Sequence, residues 1–275
     1  MSDTLITDLI ARGALFVANH SGGKDSQAML IKLLERVPAK QIMVVHASLG
    51  EVEWEGALEL AQKQAADAGL PFVVARANWL DGSPKTFLNM AENRFADRPE
   101  VPSFPSSQQR QCTSDLKRGP IQREILRFMK ARRLKLVVNC AGMRAAESND
   151  RRKLAPFVHL NKQLNKKGKP KNGLARAGRE AYEWLPIHTL STEQVFATIR
   201  DAGQEPHPAY AAGNERLSCV FCIMGSRNDL AHGARARPDL FAKYVALEKA
   251  TGYTMHMSRK PLAELVREAQ QQVGV

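Results

Sequence analysis

Six residues near the N-terminus have the composition of a phosphate-binding loop. Ser21-Gly22-Gly23-Lys24-Asp25-Ser26 follows a short apolar run at 14–18 and precedes a segment with helical spacing of apolar residues. Adjacent glycines let a backbone turn sharply and bring its N–H groups close to an anion, and the positive end of the following helix dipole points to the same place. The serines add hydroxyl groups, and Lys24 adds a positive charge. The sequence therefore predicts that all six residues bind nucleotide phosphates.

A second group of polar residues follows the apolar segment 134–140. The run Gly142-Met143-Arg144-Ala145-Ala146-Glu147-Ser148 comes soon after it, and Arg151 lies a few residues beyond. A guanidinium can bind a phosphate, and a carboxylate can bind Mg²⁺ or pair with the arginine. An Arg–Glu pair exposed at the start of a helix is the alternative. The candidate catalytic residues are Lys24, Asp25, Arg144 and Glu147. Gly142 and Arg144 are further candidates for contact with the nucleotide.

The four cysteines suit metal ligation better than disulfides. Cys219 and Cys222 form a Cys-x-x-Cys pair in a turn-rich segment, and this spacing can hold one metal ion or one edge of an iron–sulfur cluster. Cys112 is the best candidate for a third ligand. Cys140 ends an apolar strand and is either a fourth ligand or a small buried hydrophobic residue. Ligand softness does not distinguish a cluster from zinc, and two free thiols are the alternative to both.

The chain is strongly basic, and most of its excess charge lies in one segment. Its formal net charge is +12, and residues 151–179 contain ten Lys or Arg residues but no Asp or Glu. Such a segment indicates an anionic partner, DNA or RNA, bound mainly through phosphates; a solvated loop is the alternative. The candidate nucleic-acid-binding residues are Lys162, Lys166, Lys167, Lys169 and Lys171.

The first 150 residues alternate strand-like and helix-like segments. Strands are predicted at 14–18, 41–45, 72–75 and 134–140. Helices are predicted at 25–36, 54–68 and about 117–132. This alternation is typical of right-handed βαβ crossovers, and hence of the α/β class with a Rossmann-like parallel sheet. Farther along, a short strand is predicted at 184–187, and a helix near Ser191 has Gln194 placed for a capping box.

Beyond residue 150 this alternation weakens. We predict a nucleotide-binding α/β domain over residues 1–190, with a mobile basic loop at 161–180, and a mostly helical region over 191–275 that carries the Cys-x-x-Cys pair. No apolar run is long enough to span a membrane, and the N-terminal segment lacks the features of a secretory signal. We therefore expect a cytoplasmic protein with no membrane partner.

These motifs resemble those of a known group of enzymes. The Ser-Gly-Gly-Lys-Asp-Ser loop is similar to that of the ATP-pyrophosphatase superfamily, also called PP-loop or adenine nucleotide alpha hydrolase-like, whose members split ATP between its α and β phosphates. The Gly-x-Arg-x-x-Glu-Ser run at 142–148 resembles the phosphoadenosine phosphosulfate (PAPS) reductase family. So do Trp184-Leu185-Pro186-Ile187, His207-Pro208-Ala209-Tyr210 and the segment 216–222, which follow in the family's order.

The resemblance implies a sheet with strand order 3-2-1-4-5 and an adenine nucleotide, ATP, across the carboxyl ends of the strands. It includes a Cys-Thr-x-x-x-Lys segment that begins at Cys112 and so supports this residue as a ligand. Because the similar enzymes handle sulfur, the resemblance favours a [4Fe–4S] cluster over zinc. Three cysteine ligands would leave one iron open to bind sulfide, whereas Cys140 as a fourth would close the cluster.

Three functions are compatible with these observations. The resemblance, closer to the iron–sulfur enzymes of DNA phosphorothioation than to true reductases, implies an ATP-dependent sulfurtransferase. It would adenylate an acceptor, for which nucleic acid is our candidate, and take sulfur from a donor such as a cysteine desulfurase. A sulfonucleotide reductase is the first alternative, although such enzymes carry a catalytic cysteine near the C-terminus and no cysteine follows Cys222 here. A non-catalytic nucleic-acid-binding module is the second, and the complete phosphate loop argues against it.

Overall fold

The computed structural model describes residues 2–273, which fall into two compact units, each built from three separate stretches of chain. The phosphate-loop unit consists of Met1–His46, Leu58–Ala75 and Ile121–Pro206. The cysteine unit consists of Ala47–Ala57, Arg76–Pro120 and His207–Val275. Across residues 2–273, no helix is both long and apolar enough to cross a membrane.

Within the described residues, six strands form one mainly parallel sheet. They are β1 (Leu15–Asn19), β2 (Ile42–Ser48), β3 (Phe72–Arg76), β4 (Leu136–Cys140), β5 (Phe157–His159) and β6 (Glu180–Trp184). Their order across the sheet is β3-β2-β1-β4-β6-β5. β1 pairs in parallel with β2 and β4, and β4 pairs in parallel with β6, whereas β5 runs antiparallel to β6 at the edge. The turns after β1 and β4 therefore lie at the same edge of the sheet.

The helices connect these strands and make up most of the C-terminal part. They are α1 (Ser2–Ala11), α2 (Lys24–Leu34), α3 (Ala57–Asp67), α4 (Phe87–Asp97), α5 (Gln111–Thr113), α6 (Gly119–Ala131), α7 (Asn149–Arg152), α8 (Thr192–Asp201), α9 (Arg227–Ala236), α10 (Pro238–Thr251) and α11 (Leu262–Val273). A π-helical turn, Ser114–Arg118, joins α5 to α6. The predicted capping box is confirmed, because Ser191 and Gln194 each accept from the other's backbone N–H at the start of α8.

The central strand β1 is buried on both faces of the sheet. Phe16 belongs to a core cluster that includes apolar residues of α1, α2 and α8, whereas Val17 belongs to another that includes residues of α6. The ring of Phe16 also packs edge-on against Trp184 of β6, with ring centroids 6.2 Å apart. A parallel strand covered by helices on both faces needs an uninterrupted apolar sequence, and this is why the run at 14–18 could be recognised.

The cysteine unit has a separate apolar core. It contains Trp54, Phe87 from α4, Phe221 and the fully buried Tyr244 of α10. The Tyr244 ring lies 5.6 Å from that of Phe87 and 5.2 Å from that of Phe221. Because Phe221 stands between Cys219 and Cys222 in the sequence, its burial in this core fixes the backbone of the Cys-x-x-Cys segment.

The observed architecture confirms the predicted α/β class and differs from the prediction in detail. The parallel strands have the predicted order, but β5 adds an antiparallel edge strand, so the full order is not 3-2-1-4-5. The strand predicted at 184–187 lies instead at Glu180–Trp184, where Glu180 and Glu183 leave no continuous apolar run. Pro186 also lacks the N–H that a paired strand would need.

The structure divides the chain differently from the predicted boundary at 190. Helix α8 belongs to the phosphate-loop unit because Val195 and Ile199 are buried in the core beneath the sheet. Two stretches from the N-terminal half, Ala47–Ala57 and Arg76–Pro120, belong to the cysteine unit. The segment 161–180, predicted to be a mobile loop, has a hydrogen-bonded backbone with two 3₁₀ turns and an isolated antiparallel bridge.

A buried histidine connects the end of β1 to neighbouring helices. The Gly22 N–H donates to Nδ1 of His20 over 3.0 Å, so the other ring nitrogen, Nε2, carries the proton and donates to Oε1 of Gln64 over 2.5 Å. Gln64 then donates through Nε2 to the Gln27 carbonyl and to Oε1 of Gln204. Burial is the main cause that lowers the pKa of the His20 imidazole to about 4; nearby His46 acts in the same direction, and the bond to Gln64 opposes both.

The depressed pKa of His20 predicts acid-sensitive stability. The unfolded chain binds a proton on His20 as the pH falls below the ordinary pKa of about 6.5. The folded chain binds this proton only as the pH falls below about 4. The free energy of unfolding should therefore keep the whole contribution of His20 above pH 6.5 and decrease by up to about 3 kcal/mol as the pH falls from 6.5 to about 4. We expect urea unfolding at a series of pH values to show a shallower loss for His20→Asn than for the wild type. Parallel stability curves for the two proteins would contradict this prediction.

Candidate active site

The phosphate loop is a sharp turn that ends at the first residue of a helix. Gly22 has a φ of +76°, a left-handed conformation that suits glycine, and Gly23 is the N-cap of α2 without a side-chain cap. The Ser26 hydroxyl donates to the Gly23 carbonyl over 2.8 Å and accepts from the Ser21 N–H over 3.1 Å. The loop is therefore closed by its own serines, with the N-terminal end of α2 at its centre.

The turn after β4 comes into direct contact with the loop. A Cβ atom at Gly142 would stand 2.7 Å from the Asp25 carbonyl oxygen and 3.1 Å from the Ser26 nitrogen. Only glycine allows the two backbones to approach this closely. The structure thus gives a physical reason for a glycine at position 142, which is the packing of one backbone against another. The predicted contact of Gly142 with the nucleotide stays a prediction.

Asp25 lies between two buried cations. Its Oδ1 accepts from Nε of Arg144 over 2.6 Å, and its Oδ2 stands 3.6 Å from Nζ of Lys24. The Lys24 and Arg144 side chains are each only 4% exposed. Arg144 also donates through Nη1 to the carbonyl of Leu190, and the Lys24 ammonium lies 5.9 Å from the centroid of the Phe196 ring. Two positive groups are thereby concentrated beside the loop, with one carboxylate balancing them.

Glu147 contacts groups other than the Arg144 side chain, although pairing with that side chain was one of its predicted roles. One of its oxygens, Oε2, accepts from the backbone N–H of Arg144 over 2.8 Å and from the guanidinium of Arg151. The Arg151 carbonyl in turn contacts Nε2 of His188 over 2.9 Å, and the His188 carbonyl accepts from the Ala145 N–H. Glu147 therefore stabilises the turn that presents Arg144.

Three of the four cysteines line one small cavity in the cysteine unit. Cys112 of α5, Cys219 and Cys222 surround a space of about 50 Å³ together with Lys117 from the π-helical turn. The Val220 N–H donates to the Val52 carbonyl over 2.9 Å, which fixes the backbone next to Cys219. Among residues 2–273, no group of three or more His, Cys, Asp or Glu side chains is arranged to hold a metal ion.

Burial favours the neutral form of two of these thiols, those of Cys112 and Cys219. Burial raises the pKa of the Cys219 thiol to about 12, although the positive charge of Lys117 opposes the shift. Burial also raises the pKa of Cys112, and the nearby cysteines, Cys219 first, raise the pKa of Lys117. Thiolates form in such a place when a metal centre supplies positive charge and displaces the protons. Three thiols are donors of the chemical kind that iron–sulfur clusters and zinc use, although they are not arranged around a single metal ion, and Lys117 would offset part of the negative charge of a bound centre.

Cys140 is placed differently from the other three cysteines. It ends β4 in the phosphate-loop unit, is fully buried in the core beneath the sheet, and directs its thiol to the Val138 carbonyl. Burial raises its pKa well above the ordinary range. These surroundings favour the second interpretation of Cys140, as a small buried hydrophobic residue of the core.

The five candidate lysines lie in the phosphate-loop unit and are all exposed: Lys162, Lys166, Lys167, Lys169 and Lys171. None of them has an ion-pair partner among residues 2–273. Their positive charge is therefore available to an external anion.

Several residues of these sites were not proposed from the sequence. Lys117 had a signal, because it ends the Cys-Thr-x-x-x-Lys segment that begins at Cys112. His20 directly precedes the loop and could have been considered for that reason. Gln64 had no signal, since its contact with His20 joins residues 44 positions apart.

Comparison with known proteins gives a family and a few distant relatives. Residues 16–225 match the family described as the phosphoadenosine phosphosulfate reductase domain. An uncharacterized 37.8 kDa protein in the gpa 5′ region of Escherichia phage 186 is 27% identical over 146 residues, which make up 53% of this chain and 39% of that protein. The chain therefore aligns with about two fifths of that relative's length.

Two solved structures are similar to the chain at 12% sequence identity. The PAPS reductase of Candida auris, in a phosphate complex, has a TM-score of 0.48, with 79% of this chain and 87% of that chain covered. The NH₃-dependent NAD synthetase of Campylobacter jejuni, in complex with the nitrate ion, has a TM-score of 0.39, with 94% and 92% covered. The family match spans more than half of the 275 residues and includes the phosphate loop, Arg144 and all four cysteines. The chain thus belongs to the phosphoadenosine phosphosulfate reductase domain family.

Proposed function

We propose that the protein is an ATP-pyrophosphatase-type enzyme that transfers AMP from ATP to an acceptor oxygen and so prepares the acceptor for sulfur transfer. The observation that carries this proposal is the complete phosphate loop, with buried Lys24 and Arg144 on either side of Asp25. Sulfonucleotides lack the β and γ phosphates that follow the α phosphate in ATP. A lysine-containing loop that closes on a helix N-terminus suits a nucleotide that has them.

The chemistry is one substitution at phosphorus followed by one at the acceptor. The acceptor oxygen forms a bond to the α-phosphorus, and the bond from that phosphorus to the α,β-bridging oxygen breaks. Pyrophosphate leaves with the bonding electron pair. A sulfur nucleophile then attacks the adenylated position of the acceptor and expels AMP. Charge builds up on the departing pyrophosphate, so fixed positive groups at the loop should lower the barrier.

The residues of the loop have separable roles in this scheme. Lys24 and the N-terminal N–H groups of α2 stabilise the charge on pyrophosphate. Arg144, which the close approach at Gly142 holds beside the loop, binds the α-phosphate side. Mg²⁺ enters with the ATP phosphates and prefers a carboxylate ligand, and Asp25, 24% exposed, is more accessible than Glu147 at 11%.

The cysteine cavity is our candidate site for a [4Fe–4S] cluster, held by Cys112, Cys219 and Cys222. The ligands of a cluster bind different irons, so they stand farther apart than the ligands of one metal ion. A cluster with three protein ligands has one iron open to sulfur. Zinc is the alternative to the cluster. If the protein is a sulfurtransferase, its expected partner is a sulfur donor such as a cysteine desulfurase.

A sulfonucleotide reductase is the second candidate function, and the family match favours it. The two functions require different reactions from the same loop. A transferase releases pyrophosphate from ATP in the presence of its acceptor, whereas a reductase releases sulfite from PAPS or its unphosphorylated relative. Assaying purified, reduced protein for both products separates them directly.

The first prediction for this site concerns the charge of Lys24. Lys24→Met keeps an apolar stem beside Phe196 but removes the ammonium group, so pyrophosphate release should fall by about 10²–10³. Asp25→Asn should also reduce the rate, because it removes the charge that pairs with Arg144. The measurement is pyrophosphate release from ATP, together with thermal unfolding to confirm that each variant is folded.

Lys32→Ala is the matched control for this experiment. Lys32 lies on the same helix and pairs at the surface with Glu35, away from the loop. Its replacement removes one positive charge from α2 without touching the phosphate site, and the rate should stay at the wild-type level. Wild-type rates in folded Lys24→Met and Asp25→Asn would refute the assignment of the loop.

The second prediction concerns the metal centre. Single Ser replacements of Cys112, Cys219 and Cys222 should each sharply reduce iron and acid-labile sulfide in protein purified without oxygen. Cys140→Ala, which removes a thiol from the core of the other unit, should retain the iron. The visible absorption typical of iron–sulfur clusters should follow the iron content. Zinc in place of iron would rule out the cluster and the sulfur-transfer argument built on it, whereas iron content insensitive to Cys112 would rule out this ligand set.

A further inference from the structure

Residues 163–171 form a short hairpin, here called the basic arm. The Lys171 N–H donates to the Gln163 carbonyl and the Asn165 N–H donates to the Lys169 carbonyl, both over 2.8 Å, on either side of the Leu164–Pro170 bridge. The Asn165 side chain closes the tip, because its Oδ1 accepts from the backbone N–H groups of Lys167 and Lys169. The arm therefore has a defined backbone.

The base of the basic arm is fixed to the phosphate-loop unit. Leu160, before the arm, and Leu174, after it, are buried in the core beside α6. Oδ1 of Asn172 accepts from Nε2 of Gln122 on α6, and Oδ1 of Asn161 accepts from the Ala181 N–H of β6. An arm fixed at both ends keeps its charges in position and loses less entropy when it binds a partner.

The ten cations of residues 151–179 divide into two groups by what they contact. Arg151 pairs with Glu147, and the guanidiniums of Arg176 and Arg179 donate to backbone carbonyls of residues 170–174. These three arginines hold the segment together. The other seven are exposed and have no ion-pair partner in the described part of the chain: Arg152, Lys153, Lys162, Lys166, Lys167, Lys169 and Lys171.

We propose that the basic arm, with Lys162 at its base, binds the phosphodiester backbone of nucleic acid. Four exposed lysines on an ordered hairpin and a fifth at its base exceed what one nucleotide needs, and a regular polyanion can engage them all. Residues 163–171 contain no aromatic side chain on which bases could stack, so the contacts are with phosphates and independent of sequence. Duplex DNA has the higher charge density and should bind at least as tightly as single strands.

This inference rests on the proposed function in one respect only, namely that the bound nucleic acid would be the acceptor of sulfur. The binding itself is tested without ATP. Loss of nucleic-acid binding and loss of pyrophosphate release can therefore be observed separately, and each refutes a different claim.

The test is a salt titration of binding to a DNA duplex, to single-stranded DNA and to an RNA hairpin. If the five lysines neutralise five phosphates, they contribute about −4.5 to the log–log slope on duplex and about −3.5 on single strands. Between about 50 and 200 mM salt, this contribution alone weakens duplex binding about 500-fold. Replacing Lys162, Lys166, Lys167, Lys169 and Lys171 with Ala should remove most of it.

Two control variants separate position from net charge. Replacing the same five lysines with Arg keeps every charge on the arm, and the wild-type slope should remain. Replacing five lysines outside residues 151–179 with Ala lowers the net charge equally and should leave the slope close to wild type: Lys32, Lys40, Lys63, Lys243 and Lys249. Thermal unfolding checks that all variants are folded.

Three results would overturn the inference. In the first, the wild type binds none of the three nucleic acids at low salt. In the second, the arm variant keeps the wild-type slope. In the third, the control with five lysines replaced elsewhere loses as much slope as the arm variant, which would assign binding to net charge rather than to the arm.

Discussion

The ion pair between Asp25 and Arg144 is the contact on which the candidate nucleotide site depends. It joins the first turn of α2 to the turn after β4, through a 2.6 Å bond between groups 119 positions apart in the sequence. Removing one partner of a buried pair typically costs about 3–5 kcal/mol, because the other charge is left without compensation. The close approach of Gly142 to the Asp25 carbonyl brings the two turns into position for it. The parallel pairing of β1 with β4 places both turns at one edge of the sheet.

Beneath this pair, neutral hydrogen bonds hold the loop in place. His20 accepts from the Gly22 N–H and donates to Gln64, which reaches Gln27 of α2 and Gln204. None of these groups carries a charge at neutral pH, because burial keeps the imidazole deprotonated. Lys24, Asp25 and Arg144 supply fixed charges at the loop. A phosphate entering the site meets cations whose positions are already set, which is how a loop can stabilise developing charge without rearranging.

Sequence patterns predicted the parts of this protein that depend on local physics. The apolar run of β1, the Ser191–Gln194 capping box and the glycines of the loop each express a rule that acts within a few residues. The contacts missed by the sequence analysis join distant residues: Asp25 with Arg144, and His20 with Gln64. Strand β6 was misplaced for another reason. Glu180 and Glu183 interrupt its apolar pattern, and Glu180 is satisfied by Tyr182 and Arg12, which periodicity cannot reveal.

The two candidate sites differ in how their charges are balanced. At the phosphate loop, two cations share one carboxylate, so a polyphosphate adds negative charge where positive charge is in excess. At the cysteine cavity, one lysine faces three cysteines, and burial opposes ionisation of the Cys112 and Cys219 thiols, so a positive centre would help these two to become thiolates. The first site therefore offers positive charge to an anion as it stands, whereas at the second the proposed metal centre would create its thiolate ligands as it forms. Lys117 makes that step less costly, because its charge already favours the thiolates that the centre requires.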